Sequence, residues 1–180
     1  MTALNVKPQL TRVVEELSAM AEALDATQLA TLAENIDRAP RLFFSGQGRS
    51  GLMIKAITIR LMHIGLQVYV AGESNTPAIG HGDLLVAVSS SAKTQTTLSH
   101  IRAARQAGAK VALISAKPAP EVETDIALYL PARVSVMTDQ HAGSLFEQTL
   151  LIIGDAIARL IQQRRGETDA NLDKRHANLQ

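Results

Sequence analysis

Leu42-Phe43-Phe44-Ser45-Gly46-Gln47-Gly48-Arg49-Ser50-Gly51 reads as a short apolar strand, a glycine turn and the opening of a helix. Glycines in such a turn let the backbone fold back sharply and leave N–H groups facing outward, where an anion can sit. Helical spacing continues over Ser50–Ile64 and stops at Gly65, a residue suited to a helix C-terminus. Four further apolar runs, Val68–Ala71, Leu84–Val88, Val111–Ile114 and Ile126–Leu130, have the length of buried strands. Thr94–Ala107 reads as a helix ended by Gly108, and a weaker helical piece is expected near Glu121. Strands alternating with helices predict a parallel sheet with right-handed crossovers. The fold class expected is therefore α/β, a three-layer, doubly wound, five-stranded sheet.

Upstream, Leu10, Val13, Val14, Leu17 and Met20 carry helical spacing over Val6–Leu24. Leu29, Leu32, Ala33 and Ile36 continue it over Ala26–Ile36, with Asp25 placed to cap. Downstream, a helix over about Gly143–Arg165 is apolar on more than one face, which predicts a subunit interface. The polar tail Gly166–Gln180 reads as a loose end or a short helix. The organisation expected is one domain over residues 1–180. Residues 1–38 form its N-terminal helices and residues 166–180 a tail that meets a neighbouring subunit.

Composition narrows the function classes. A chain of 180 residues can bury one full core. Eighteen Lys and Arg against 17 Asp and Glu leave no basic excess for nucleic acid and no acidic tail. With three Phe, two Tyr and no Trp, stacking platforms for single strands are not expected. The absence of Cys excludes a disulfide framework, a Cys-based zinc site and a thiol nucleophile. Met1–Gln9 lacks the basic-then-apolar pattern of a secretory signal. The most apolar helical stretch, Gln148–Gly154, lies between Glu147 and Asp155 and falls short of the roughly 20 residues a bilayer needs. A cytoplasmic protein with no membrane and no nucleic-acid partner is expected.

Ligands of open parallel sheets bind beyond the carboxyl ends of the strands, so the segments after each strand matter most. Gly46, Gly48 and Gly51 satisfy G-x-G-x-x-G, and Glu73 follows the second strand where a ribose-binding acid would lie. A NAD-binding protein is thus one reading, and a tight turn without ligand is another. Ser89-Ser90-Ser91-Ala92-Lys93-Thr94 opens the next helix, and its hydroxyls with the helix-start N–H groups would make an anion pocket. The alternative is ordinary N-capping by Ser91 or Thr94. Ser144 and Glu147 have S-x-x-E spacing, and taken alone they read as a capping box. Glu147 acquires a chemical role only if its turn faces the anion pocket, where a carboxylate could move a proton between adjacent carbons. Of the histidines, His100 reads as a surface residue. His63 lies near a helix C-terminus that favours its cationic form, and His176 reads as solvated in the tail. His81 and His141 fall in turns, and no histidine spacing suggests metal.

These segments together resemble the 6-phospho-3-hexuloisomerase family of SIS-fold sugar isomerases. The resemblance rests on Phe44–Gly51, then Arg60-Leu61-Met62-His63-Ile64-Gly65, Val68–Glu73 with Thr76-Pro77, Gly143–Glu147, and the ending Asp173–Leu179. It implies a five-stranded parallel sheet in flavodoxin-like order and a homo-oligomer, commonly a tetramer, with sites near subunit contacts. It implies interconversion of D-arabino-hex-3-ulose 6-phosphate and D-fructose 6-phosphate, in the ribulose monophosphate pathway of formaldehyde fixation, with no metal and no nucleotide cofactor. Carried over, Gly48, Ser50, Ser89, Ser91 and Thr94 would hold the phosphate, and Arg49 would lie near the sugar. Glu147 would be the enediol base, while His176 would reach a neighbour's site, with His63 as a further candidate. Another sugar-phosphate isomerase of the fold, or a non-catalytic sugar-phosphate sensor, is the alternative. One departure stands out: the family pattern S-x-S-G-[EQ]-T appears here with Ala92 for the glycine and Lys93 for the acid or amide.

Overall fold

Strands β1 (Leu42–Ser45), β3 (Leu84–Val88) and β4 (Lys110–Ser115) are buried along almost their whole length, as unbroken apolar runs between two covering layers must be. The computed structural model describes residues 4–179. With β2 (Val68–Val70) and β5 (Ile126–Tyr129) these strands form one parallel sheet in the order β2-β1-β3-β4-β5. The helices are α1 (Lys7–Ala23), α2 (Ala26–Arg38), α3 (Gly48–His63), α4 (Gln95–Gln106), α5 (Ser144–Arg164) and α6 (Asp169–Arg175). Alternate residues of each strand face opposite layers. Phe44, Val86, Val88 and Ile114 pack toward α1, α2, α3 and α5, whereas Phe43, Leu85, Ala87 and Leu113 pack toward α4. The five-stranded doubly wound sheet expected from the sequence is the one present.

Two local expectations fail for identifiable reasons. The chain near Glu121 is not helical; it crosses from β4 to β5 in turns, with Ala119 and Val122 packed under the α4 layer. Pro118 and Pro120 remove backbone donors and bias their preceding residues away from helical angles. Helix α3 starts at Gly48, two residues before Ser50, and Gly48 turns the chain into it at φ +58, a left-handed angle that glycine adopts without strain.

The layer that matters most is the pairing of α3 with α5. Both helices follow parallel strands and run the same way, and Gly154 of α5 lies against Ile57 of α3. A Cβ added at Gly154 would come within 2.6 Å of Ile57 Cδ1 and closer still to Cγ1. Only a residue without a side chain permits this spacing. Two turns toward the N-termini, the same approach brings Arg49 onto Glu147, and just past the crossing it brings Arg60 within 3.9 Å of Asp155, the residue after Gly154.

Gly154→Ala is expected to cost about 1–3 kcal/mol by overpacking. For a domain of this size that lowers the melting temperature by roughly 2–12 °C. Combining it with Ile57→Ala should cost less than the two single changes added together. Urea unfolding of the four proteins checks this, and strict additivity would mean that the two side chains do not share the space.

Candidate functional site

The strand order reverses between β1 and β3, since β1 leads to β2 on one side while β3 lies on the other. The crevice above this point is where open α/β sheets bind ligands. It is flanked by the turn Gly46–Gly51 and the loop Ser89–Thr94. Two glycines shape the first turn: Gly48 by its positive φ, and Gly51 because a Cβ there would stand 2.9 Å from Gly46 O. Gln47 caps α3 with no side-chain hydrogen bond. The first-turn amides of Gly48, Arg49 and Ser50 therefore have no partner within the helix.

The second loop is built for hydroxyl presentation. Ser89 is buried, and its Oγ lies 2.9 Å from Thr94 Oγ1. Ser91 Oγ accepts from Lys93 N at 3.2 Å. Thr94 is the N-cap of α4 but makes no side-chain cap, because its hydroxyl is turned to Ser89. The capping alternative is thus not realised by Thr94. Ala92 takes φ +55, the left-handed angle for which the family pattern has glycine. That angle costs an alanine about 1–2 kcal/mol. Burial of its methyl among Ile101 and Ala104 returns roughly 0.8 kcal/mol.

Glu147 lies in the first turn of α5, and the capping box that its spacing suggested does not form. The N-cap is Gly143, without a side-chain bond, and Ser144 Oγ donates to His141 O at 2.9 Å. Glu147 instead points across to α3, where its Oε2 accepts from Arg49 Nε at 2.5 Å. Its side chain is only 12% exposed, while that of Arg49 is 66% exposed. The other oxygen, Oε1, occupies room left by Gly143, where a Cβ would stand 3.2 Å away. A half-enclosed carboxylate therefore sits beside a turn rich in free N–H groups. Such a pair can hold an anion and shift a proton next to it.

His63 and His176 do not join this group within one chain. Fourteen residues of α3 separate Arg49 from His63, about 21 Å of helix. The two histidine rings stack on each other, centroids 4.9 Å apart. His176 is exposed, as expected, yet it also stacks on His63 because the tail forms α6 and packs back on α3. Arg175 donates to His63 O at 3.0 Å and to Glu167 at 3.0 and 3.2 Å. His63 is buried, and its Nε2 has no hydrogen-bond partner among the described residues. Burial first, then the nearby His176 and Arg60, push its pKa below the usual value. The cationic state expected from the helix C-terminus is thus disfavoured, since desolvation outweighs the dipole.

The sequence reading also misplaced His100. It is half-buried, and its Nδ1 lies 2.8 Å from Ser45 Oγ at the end of β1. Its signal was position: it faces the sheet one turn below Thr96, beside the crevice rather than outside it. Glu73, which a dinucleotide reading would give to a ribose, is paired with Lys55 Nζ at 2.6 Å. Among the described residues no three His, Asp or Glu side chains gather as a metal site. No helix of the described residues is long and apolar enough to cross a membrane.

Known proteins match this arrangement over nearly its whole length. The SIS domain profile matches residues 35–155. A protein of Mycobacterium gastri named 3-hexulose-6-phosphate isomerase is 36% identical, covering 98% of this chain and 92% of its own. A Bacillus subtilis protein of the same name is 31% identical over 93% of this chain and 95% of its own. A crystal structure from Methanococcus jannaschii, described as inferring a molecular function of 3-hexulose-6-phosphate isomerase, superposes with a TM-score of 0.85. It is 28% identical and covers 96% of this chain and 99% of that one.

The buried His63 gives stability a pH dependence of definite sign. The unfolded side chain titrates near about 6.5. The folded one titrates lower, so the unfolded state binds more protons as pH falls past that value. Stability is thus full above the unfolded pKa and is lost as pH falls toward the folded one. Urea unfolding between pH 7.5 and 5 should show this loss, and His63→Gln should flatten it. An equal slope in the variant would assign the loss to other groups.

Proposed function

This chain belongs to the SIS domain family, and from that premise we propose that it interconverts D-arabino-hex-3-ulose 6-phosphate and D-fructose 6-phosphate. That it is an isomerase of sugar phosphates follows from its full-length relatives; the sugar is our reading. The observation that carries it is the position of Glu147, withdrawn from helix capping and held by Arg49 of the glycine turn. Gly48 and Ser50 with Ser89, Ser91 and Thr94 bind the phosphate through hydroxyls and first-turn amides, and the remaining carbons then lie toward Glu147.

The reaction needs one base that serves two adjacent carbons. Glu147 takes the C2 proton of the 3-ketose; the C–H electrons form the C2–C3 double bond, and the carbonyl electrons settle on O3. The proton on O2 passes to O3, Glu147 returns its proton to C3, and the carbonyl reforms at C2. The Arg49 guanidinium has donors beyond the Nε that holds Glu147, and these face the developing oxyanion. Contacts of this kind contribute about 3–4 kcal/mol. His176 and His63, remote within one chain, take part only from a neighbouring subunit. In this reading the working protein is a cytoplasmic homotetramer of single-domain chains, acting in the ribulose monophosphate pathway without metal or nucleotide. The exposed apolar side chains Ile152 and Leu160 of α5, with Leu10 and Val14 of α1, support such an assembly.

Glu147→Gln should lower turnover by about 10²–10⁴-fold while fructose 6-phosphate still binds. Gly143→Ala should lower it by roughly 10²-fold without a matching loss of stability, because its Cβ displaces the carboxylate. Steady-state assays with calorimetric binding check both. Undiminished turnover in Glu147→Gln would remove that residue from the reaction.

A further inference from the structure

The carboxylate of Glu16 takes no part in the mechanism above, yet it is the most heavily bonded side chain of α1. It accepts from Thr138 Oγ1 at 2.7 Å, from Gln140 Nε2 at 2.7 Å and from Asp139 N at 3.2 Å. All three donors belong to the irregular segment that leads into α5. Burial opposes the charge on Glu16, but the bonds from Gln140, Thr138 and Asp139, with the charge of Arg12, outweigh it and hold the carboxyl below its usual range.

The bonding continues past this contact. Gln140 and Gln148 exchange a pair of amide hydrogen bonds, Gln140 Nε2 to Gln148 Oε1 at 3.1 Å and Gln148 Nε2 to Gln140 Oε1 at 2.8 Å. Gln148 is the residue after Glu147. An ionised carboxylate only accepts, so Glu16 forces Gln140 to present its NH₂. The second N–H and the amide oxygen of Gln140 are then the groups that meet Gln148. The orientation of both amides is thereby set from α1. The segment they hold contains Ala142, at φ +48, and Gly143, which makes the room for Glu147 Oε1. Its backbone is pinned from the other side by Arg133, which donates to Ala142 O at 3.1 Å and to Gln140 O.

We propose that Glu16 is a positioning residue for Glu147, acting through Gln140 and Gln148 to fix the first turn of α5 against α3. Glu16 lies before residue 35, where the SIS domain match begins, so a helix outside the matched region aims the base. The inference rests on the isomerase reading for its kinetic test, but not for its structural one.

The experiment compares Glu16→Gln, Glu16→Ala and Glu16→Asp with Glu15→Gln, an exposed carboxylate on the same helix, as control. Glu16→Gln keeps the shape and removes the obligate acceptor. It and Glu16→Ala should lower kcat about tenfold or more with KM for fructose 6-phosphate changed less than about threefold. Glu16→Asp should recover part of the loss, and Glu15→Gln should match the parent. The carboxyl ¹³C resonance of Glu147 should shift or broaden in Glu16→Gln and not in Glu15→Gln. Parental kcat in Glu16→Ala, or an unmoved Glu147 resonance in Glu16→Gln, overturns the proposal. If the parent protein does not isomerise hexulose 6-phosphates at all, the isomerase reading fails, and the Glu147 resonance alone decides the role of Glu16.

Discussion

The close passage of α3 and α5 at Ile57 and Gly154 is the constraint on which the site depends. Two helices that start at the same edge of a parallel sheet will carry their first turns to the same crevice. Whether those turns touch depends on the distance between the axes. The missing side chain at Gly154 brings them near enough for Arg49 and Glu147 to pair two turns away. The geometry of that pair is thus set first by packing in the core.

In the proposed mechanism the charges divide the crevice into two ends. The glycine turn and the starts of α3 and α4 offer N–H groups and hydroxyls, which suit a phosphate and repel a cation. Glu147 is a carboxylate that would be unwelcome beside a phosphate, and Arg49 stands between the two. In the proposed mechanism one guanidinium would both screen the base from the anion and face the oxygen that gains charge. The acyclic sugar phosphate, anionic at one end and with an acidic carbon several bonds away, has the matching charge distribution.

Much of this was legible in the chain. The five strands were clear because each is an unbroken apolar run closed by glycine or a polar turn, and Gly65 and Gly108 take the positive φ that helix ends demand. The absence of a helix near Glu121 is signalled by Pro118 and Pro120. The pairing of Glu147 could not be resolved locally, since S-x-x-E spacing suits a cap as well as a contact with another helix; only the approach of α3 separates them. The state of His63 was illegible because the contacts of α6 with it come from the tail, more than a hundred residues later. Glu16 did leave a trace. It falls on the same helical face as Val13, Leu17 and Met20, and a carboxylate in an apolar stripe requires partners from elsewhere.

Proton traffic at a single carbon bears most directly on the central claim. Fructose 6-phosphate incubated with the protein in heavy water, followed by NMR, should acquire deuterium at C3 while a 3-ketose appears. Deuterium at C1 with C3 untouched would place the transfer between the first two carbons and contradict the account.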